Sequence, residues 1–243
     1  MGEVMGKSAA KAIVVGASGG IGQAIVSALY QTQHYRVISV SRSAENEVSH
    51  CHFQSDYSEP SIRNVTEQIN ALDGHLARLI ICNGVLHGHD FQPERALKRL
   101  SASTMNHVLQ TNTVTPALWL GGFMDALKQA PEPRVVAFSA RVGSIGDNNL
   151  GGWYSYRASK AALNMVLKCA AIELARLNPN AKLLAFHPGT TDTAMSKPFQ
   201  KGVAEGKLFT PAFVADRLLG ILEALEPDGE LAFLDWDEKP IVW

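Results

Sequence analysis

A tyrosine and a lysine four residues apart are the side chains of this sequence best suited to proton transfer. Tyr156 and Lys160 begin an Ala- and Leu-rich stretch without Gly or Pro, which predicts a helix over 156–177. Helix residues four apart lie on one face, one turn from each other. A cation there favours phenolate over phenol and is expected to lower the tyrosine pKa from about 10. The pair is therefore a candidate proton donor and acceptor for an oxygen undergoing reduction or oxidation.

The elements that must position this pair alternate along the chain. Because strands spaced by helices of this length form βαβ units, we predict the α/β class, with a parallel sheet and helices on both faces. No linker or repeat divides the sequence, so residues 1–243 are interpreted as one doubly wound, Rossmann-type domain. Strands are predicted at 12–15, 36–40, 79–81, 135–138, 182–186 and 230–234, and helices at 22–32, 61–72, 104–128, 156–177 and 211–225.

Composition excludes several classes of partner. Lys+Arg 22 against Asp+Glu 23 gives a net charge of −1 without basic blocks, so neither nucleic acid nor an anionic membrane is expected to be the main partner. The three cysteines, Cys51, Cys82 and Cys169, form no CxxC pair, which favours a reducing compartment. Residues 1–11 contain no long apolar run and are interpreted as neither signal peptide nor anchor. We therefore expect a cytoplasmic protein.

A glycine-rich turn follows the first predicted strand and opens the first predicted helix. Glycines let the backbone turn tightly and approach a pyrophosphate, whose charge is bound by free N–H groups at the helix N-terminus. The spacing is G-x-x-x-G-x-G, and its place between strand and helix favours a dinucleotide site. The candidate cofactor-binding residues of this turn are Gly16, Ser18, Gly20, Ile21 and Gly22.

The end of the second predicted strand indicates which dinucleotide is preferred. Folds that bind NAD usually offer an Asp or Glu here to the ribose 2′-OH. This sequence has Ser41 and Arg42, a hydroxyl and a cation suited to a 2′-phosphate. NADP(H) is the predicted cofactor; the alternative is that Arg42 is a solvated loop residue.

Six segments in order resemble the short-chain dehydrogenase/reductase family over nearly the whole chain. They are the turn with Gly16, Gly20 and Gly22; Asp56; Asn83-Gly84; Asn112; Tyr156 with Lys160; and the loop with Pro188, Gly189, Thr191 and Thr193. The resemblance implies that Asp56 meets the adenine amino group and that residues 188–193 contact the nicotinamide. Asp56 is also a good turn residue. Residues 142–157 and 239–243 resemble the branch of small carbonyl reductases that includes sniffer and the myxobacterial C-factor.

The resemblance also implies a reaction on a small carbonyl or alcohol substrate. Tyr156 would protonate the substrate oxygen as general acid while hydride moves between nicotinamide and carbon. Lys160 would lower the tyrosine pKa and bind the nicotinamide ribose. Asn112 would hold a water that relays protons to Lys160.

One position departs from the family pattern. The serine that usually orients the substrate oxygen falls at Ala140 in this chain. Ser139 is the favoured replacement and Ser144 the second; the third possibility is that Tyr156 holds the oxygen alone. Because neighbouring strand residues point to opposite faces, Ser139 would need a local shift of the strand end. This departure supports a rival function, an NADP(H)-binding sensor or interaction protein with little turnover.

Three further expectations concern the surroundings of the site. Residues 192–210 are irregular and are interpreted as a substrate lid or a plain surface loop. His87 and His89 form an H-x-H pair without a third suitably spaced ligand, so no metal site is predicted and both are expected to line the substrate cleft. The Ala-rich helices predicted at 104–128 and 161–177 suggest a homodimer or homotetramer.

Overall fold

A seven-stranded parallel sheet forms the centre of the molecule. The computed structural model describes residues 10–45 and 48–243. Residues 1–9, which make up most of the segment interpreted as neither signal peptide nor anchor, lie outside the described part. The strand order is β3-β2-β1-β4-β5-β6-β9, and every pair in it is parallel. These strands are β1 Lys11–Val15, β2 Arg36–Ser41, β3 Cys51–Gln54, β4 Leu76–Ile81, β5 Arg134–Phe138, β6 Lys182–His187 and β9 Leu231–Asp235, and a separate parallel pair consists of β7 Thr190–Thr191 and β8 Leu208–Phe209.

Helices cover both faces of the sheet, as predicted. They are α1 Gly20–Thr32, α2 Glu59–Asn70, α3 Ala102–Leu109, α4 Thr115–Gly122, α5 Met124–Gln129, α6 Tyr154–Leu177 and α7 Pro211–Ala224. One face packs against apolar side chains of α2, α4, α5 and α6. The other face packs against α1 and α7. Among the helices of the described part, none is both long and apolar enough to span a membrane.

The predicted helix over 104–128 is wrong as a single element. It is divided into α3, a π-helical turn Gln110–Val114, α4 and α5. Pro116 has no N–H and cannot continue an α-helical ladder, while the Thr115 hydroxyl donates to the carbonyl of Gln110 at 2.9 Å. The interruption turns Asn112 into the interior, where it is fully buried.

The edge strand β3 was not predicted. Its four residues, Cys-His-Phe-Gln, are only partly buried and lack the continuous apolar run of the inner strands. The missed strand completes the nucleotide side of the sheet. The strand order reverses between β1 and β4, and the carboxyl ends of β1, β4, β5 and β6 meet at one edge, where doubly wound folds bind ligands.

Candidate active site

The first turns of α6 carry Tyr156 and Lys160 on one face. The Lys160 side chain is buried, and its Nζ donates to the carbonyl of Phe138 at the end of β5 at 2.7 Å. This Nζ lies 5.8 Å from the centroid of the Tyr156 ring. Burial lowers the pKa of Lys160 to about 8 and raises the pKa of Tyr156 to about 12. The tyrosine shift is opposite to the expected direction, because withdrawing the phenol from water outweighs the nearby cation.

Asn112 binds the segment after β4 to α6. Its amide nitrogen donates to the Val85 carbonyl at 2.9 Å and to Ser159 Oγ at 3.0 Å, and its oxygen accepts from the Val85 N–H at 2.7 Å. A Cβ added at Gly84 would lie 3.4 Å from Asn112 Oδ1 and 3.6 Å from Lys160 Nζ. Asn112, Gly84 and Lys160 therefore meet at one point.

Three positions bear on the serine hydroxyl that would orient the substrate oxygen, and their surroundings differ. Ser139 and Ala140 both line the cleft beside Tyr156. Ser139 is buried, and its hydroxyl donates to Asn164 Oδ1 at 2.6 Å. Ser144 accepts the N–H of Asp147 at 3.0 Å and is not among the residues lining this cleft. Of the two serines, Ser139 lines the cleft and Ser144 does not, and the Ser139 proton is directed at Asn164.

The glycine turn is shaped by two close backbone approaches. Gly16 has φ +83°, and a Cβ there would lie 2.9 Å from the N of Asn83. A Cβ at Gly22 would lie 2.3 Å from the Gly16 carbonyl oxygen. Helix α1 begins at Gly20 with no side-chain cap and no acidic residue in its first turn, so its N–H groups are free to bind an anion. Ser18 is exposed at this turn, and Ile21 lines the neighbouring cleft.

Polar residues follow β2 and β3 at the outer end of the nucleotide side. Ser41 is buried and accepts the N–H of Ser43 at 3.2 Å, while Arg42 is exposed. Asp56 is exposed and accepts the N–H of Ser58 at 2.8 Å. This hydrogen bond is typical of a turn residue, the alternative interpretation of Asp56. Hydrogen bonds from Ser58 lower the pKa of Asp56.

The loop after β6, residues 188–193, lies between the glycine turn and the cleft. A Cβ at Gly20 would lie 3.1 Å from Thr193 Cγ2, so this loop meets the glycine turn. Asn83 Oδ1 and Thr191 Oγ1 are buried and have no hydrogen-bond partner within the described residues. Free helix N–H groups, glycine clearances and two unpaired polar atoms fit a nicotinamide dinucleotide. The loop residues Pro188, Gly189, Thr191 and Thr193 all line the cleft.

Aromatic side chains wall the cleft, whose volume is about 290 Å³. The Trp153 ring lies 6.2 Å from that of Tyr156 and 5.3 Å from that of Phe199, and the Phe199 ring lies 5.7 Å from that of His87. Trp153 adopts the left-handed conformation, with φ 52° and ψ 42°. A bulky residue rarely does so without support from its surroundings.

Glu94 supplies that support, and sequence reasoning missed it. Its buried carboxylate accepts the N–H of Ser155 at 3.1 Å and, through its other oxygen, the Ser155 hydroxyl. Its backbone carbonyl accepts the N–H of Trp153 at 2.5 Å. The carboxylate therefore caps the start of α6 one residue before Tyr156. No local pattern could reveal this contact, because Glu94 is distant from Ser155 in the sequence.

The segment 192–210 lies against the cleft, and the H-x-H pair is split. Residues 190–191 and 208–209 pair as β7 and β8, and Lys197–Gly202 forms a 3₁₀ helix that carries Phe199. The His87 ring lies beside Phe199, and its Nε2 is 3.1 Å from the Met195 carbonyl oxygen. His89 is exposed and pairs with Asp90 at 2.6 Å. His87 therefore packs behind Phe199, and neither histidine is among the residues that line the cleft, contrary to the expectation.

Comparisons with known proteins agree with this arrangement. The sequence profile of the short chain dehydrogenase family matches residues 10–204. Benzil reductase ((S)-benzoin forming) of Bacillus cereus is 26% identical over 253 residues, covering 92% of this chain and 98% of the relative. The NADPH-bound carbonyl reductase from chicken fatty liver superposes with a TM-score of 0.80 at 23% identity, covering 97% of this chain and 100% of that one. Carbonyl reductase Sniffer of D. melanogaster superposes with a TM-score of 0.79 at 20% identity and the same coverage, 97% and 100%.

Proposed function

The chain belongs to the short-chain dehydrogenase family and is an oxidoreductase, and we propose that it is an NADP(H)-dependent carbonyl reductase with Tyr156 as its general acid. The observation that carries the proposal is that Tyr156, above buried Lys160, lines an apolar cleft shared with the loop 188–193. The phenol is thereby brought next to the edge at which the nucleotide turn lies.

In the proposed reaction the protein controls the proton. When bound, the nicotinamide supplies or accepts the hydride. With a pKa of about 12, Tyr156 carries its proton at neutral pH and can donate it to a carbonyl oxygen. Protonated Lys160 beneath the ring then favours the phenolate that remains. Asn112 keeps the Val85 segment against α6 and would hold the relaying water, while Ser139 would have to release Asn164 to orient the substrate.

Preference for NADP(H) is the part of the proposal that depends on Arg42. Ser41 and Arg42 end β2, and the exposed guanidinium can reach a 2′-phosphate without losing an ion pair to another described residue. Arg42→Ala is expected to weaken NADPH binding about tenfold and to leave NADH binding nearly unchanged. Equal losses for both, measured by fluorescence titration, would refute the preference.

Reduction of an aromatic dicarbonyl is the first activity to test, because a relative over nearly the full length is named for benzil. Purified protein is mixed with NADPH and a panel of aldehydes and α-dicarbonyls, and NADPH oxidation is followed. We expect turnover that falls at least about a thousandfold in Tyr156→Phe, since removal of the general acid abolishes proton donation.

A sensor with little turnover is the second candidate, favoured by Ala140 and by the bond from Ser139 to Asn164. Tight NADPH binding, no oxidation of any carbonyl and no effect of Tyr156→Phe would support the sensor and exclude the reductase. Ala140→Ser separates the two further, because it restores a hydroxyl to the cleft and should increase turnover only in a reductase.

We also propose a cytoplasmic homodimer or homotetramer built through α6. Met165 and Ile172 are exposed apolar residues two turns apart on that helix, with exposed Cys169 between them. Such a stripe can be covered by its own copy across a two-fold axis. Met165→Glu with Ile172→Glu is expected to give monomers in light scattering, and an unchanged mass would rule out this surface. The segment 192–210 is the proposed lid of the cleft, because it contributes Thr193, Met195, Ser196 and Phe199 to the lining.

A further inference from the structure

A second, larger cavity lies behind the aromatic wall of the reaction cleft. Its volume is about 740 Å³, and it shares Trp153 and Phe199 with the cleft that contains Tyr156. The two rings, 5.3 Å apart, form the partition between the cavities. A substrate longer than the first cavity would therefore extend past these rings into the second.

The walls of the second cavity are fixed by hydrogen bonds and ring contacts. Its main wall is the segment 90–99, which Glu94 joins to the start of α6 through Ser155 and the Trp153 N–H. The Phe91 ring contacts the ring of His107 in α3, with centroids 5.5 Å apart. The backbone carbonyl of Phe91 accepts the N–H of Gly88 at 3.0 Å. The cavity is therefore part of the folded structure between α3 and α6.

The acidic and the basic side chains around this cavity differ in whether another side chain or a backbone group binds them. Of its two acids, Asp90 pairs with His89, and the Glu94 carboxylate caps α6. Of its two bases, Arg95 and Arg99, neither forms an ion pair or a side-chain hydrogen bond within residues 10–45 and 48–243. The free charge facing the cavity is positive, and a guanidinium is suited to a planar carboxylate.

We propose that the second cavity is a subsite for a carboxylate on the distal part of the substrate, whose aromatic portion lies against the rings of Trp153 and Phe199. This inference rests on the proposed carbonyl reduction at Tyr156. Arg95 and Arg99 bind the carboxylate, and the two rings offer an apolar surface to the aromatic portion of the substrate. The protein thereby prefers a carboxylated aryl ketone to its neutral analogue.

The test compares an aromatic α-diketone bearing a para-carboxylate with the methyl ester of the same molecule. With NADPH, we expect kcat/KM for the carboxylate to exceed that for the ester about tenfold, as two charge-assisted contacts at a part-exposed site allow. In Arg95→Ala/Arg99→Ala this ratio should fall to about one. Lys98→Ala is the matched control, because Lys98 is an exposed cation of the same segment that does not line the cavity.

Two results would overturn the subsite: equal kcat/KM for both compounds in the unaltered protein, or the same loss of ratio in Lys98→Ala. Failure of carbonyl reduction itself would be seen as no turnover of either compound. Binding then decides the subsite separately, by titrating both compounds against tryptophan fluorescence. Tighter binding of the carboxylate that disappears in the double arginine variant supports it, and equal affinities contradict it.

Discussion

The nucleotide side and the substrate side of the cleft are built in different ways. The nucleotide side is built mainly from backbone, namely the turn at Gly16 and Gly22 and the uncapped start of α1, to which a few polar side chains are added. The substrate side consists of side chains from three separate segments, and its contacts join residues far apart in sequence, such as Glu94 with Ser155 and His87 with Met195.

The difference explains how one cofactor site can be combined with a variable substrate. Backbone N–H groups and glycine clearances require little beyond a local pattern, and they bind the part of the ligand that never changes. Side chains such as Trp153 and Phe199 can be exchanged without altering the sheet that supports them. Substitutions on the substrate side are therefore expected to change substrate preference and to leave the nucleotide side intact.

The largest effect is expected from breaking the nucleotide side at Gly22. Its added Cβ would overlap the Gly16 carbonyl oxygen at 2.3 Å, and backbone cannot move aside cheaply. Gly22→Ala should lower the free energy of unfolding by about 3 kcal/mol, the upper end for overpacking. NADPH binding should be lost with it. Urea denaturation and a fluorescence titration measure the two effects.

Gly220→Ala is the control for that substitution. Gly220 lies within α7 and has nothing within 4 Å of an added Cβ. Alanine there should stabilise the protein by about 0.5–1 kcal/mol, because glycine loses more backbone entropy in a helix. Equal destabilisation by both alanines would show that the clearance at Gly22 is unimportant.

The next largest effect is expected from removing the Glu94 carboxylate on the substrate side. Glu94→Ala leaves the N–H and hydroxyl of Ser155 buried without their acceptors, and should cost about 2 kcal/mol of unfolding free energy. The KM for NADPH should remain nearly unchanged while kcat falls, because Tyr156 loses its fixed position. Glu59→Ala, which removes only an exposed pair with Arg63, should change neither. A parallel rise in the KM for NADPH would deny that the two sides are separately built.

The smallest effect is a pH dependence of stability that arises at His187, a residue of the cleft lining. Burial, followed by the charge of Arg141, lowers the His187 pKa to about 4. Above about 6.5 the imidazole is neutral in both the folded and unfolded protein and contributes no pH dependence. As pH falls from 6.5 to about 5 the unfolded chain binds a proton that the folded protein does not, so stability falls by about 1–2 kcal/mol over that range.

His187→Gln should remove that part of the acid destabilisation. The measurement is the unfolding free energy of both proteins between pH 7 and pH 4. A His187→Gln protein whose stability falls as steeply as that of the unaltered chain would show that other groups account for it.

The family and the sheet were predicted from sequence because their signals are local. The glycine turn, the strand runs and the Tyr156/Lys160 spacing each occupy a few consecutive residues, and the predicted α/β fold is confirmed. The helix predicted over 104–128 was wrong although Pro116 lies within it, and proline cannot donate the helix hydrogen bond; this signal was not used.

The substrate side could not be predicted in the same way. The left-handed Trp153, the cap by Glu94 and the second cavity arise from packing between segments that no spacing rule connects. The sign of the Tyr156 pKa shift also required burial, a quantity that only the folded structure supplies. The assigned roles of Ser139, Asn112 and Arg42 stay predictions until the variants are measured.

The packing of α1 on α7 has a consequence for biosynthesis. Helix α1 precedes α7 by about 180 residues in the chain, and the two share one face of the sheet. During synthesis, α1 can pack on β1 and β2 early, but the part of it that contacts α7 stays uncovered until residues 211–224 have emerged. The glycine turn is thus translated well before the helix that packs against α1, and in that interval a chaperone or the dinucleotide itself could assist the nascent chain.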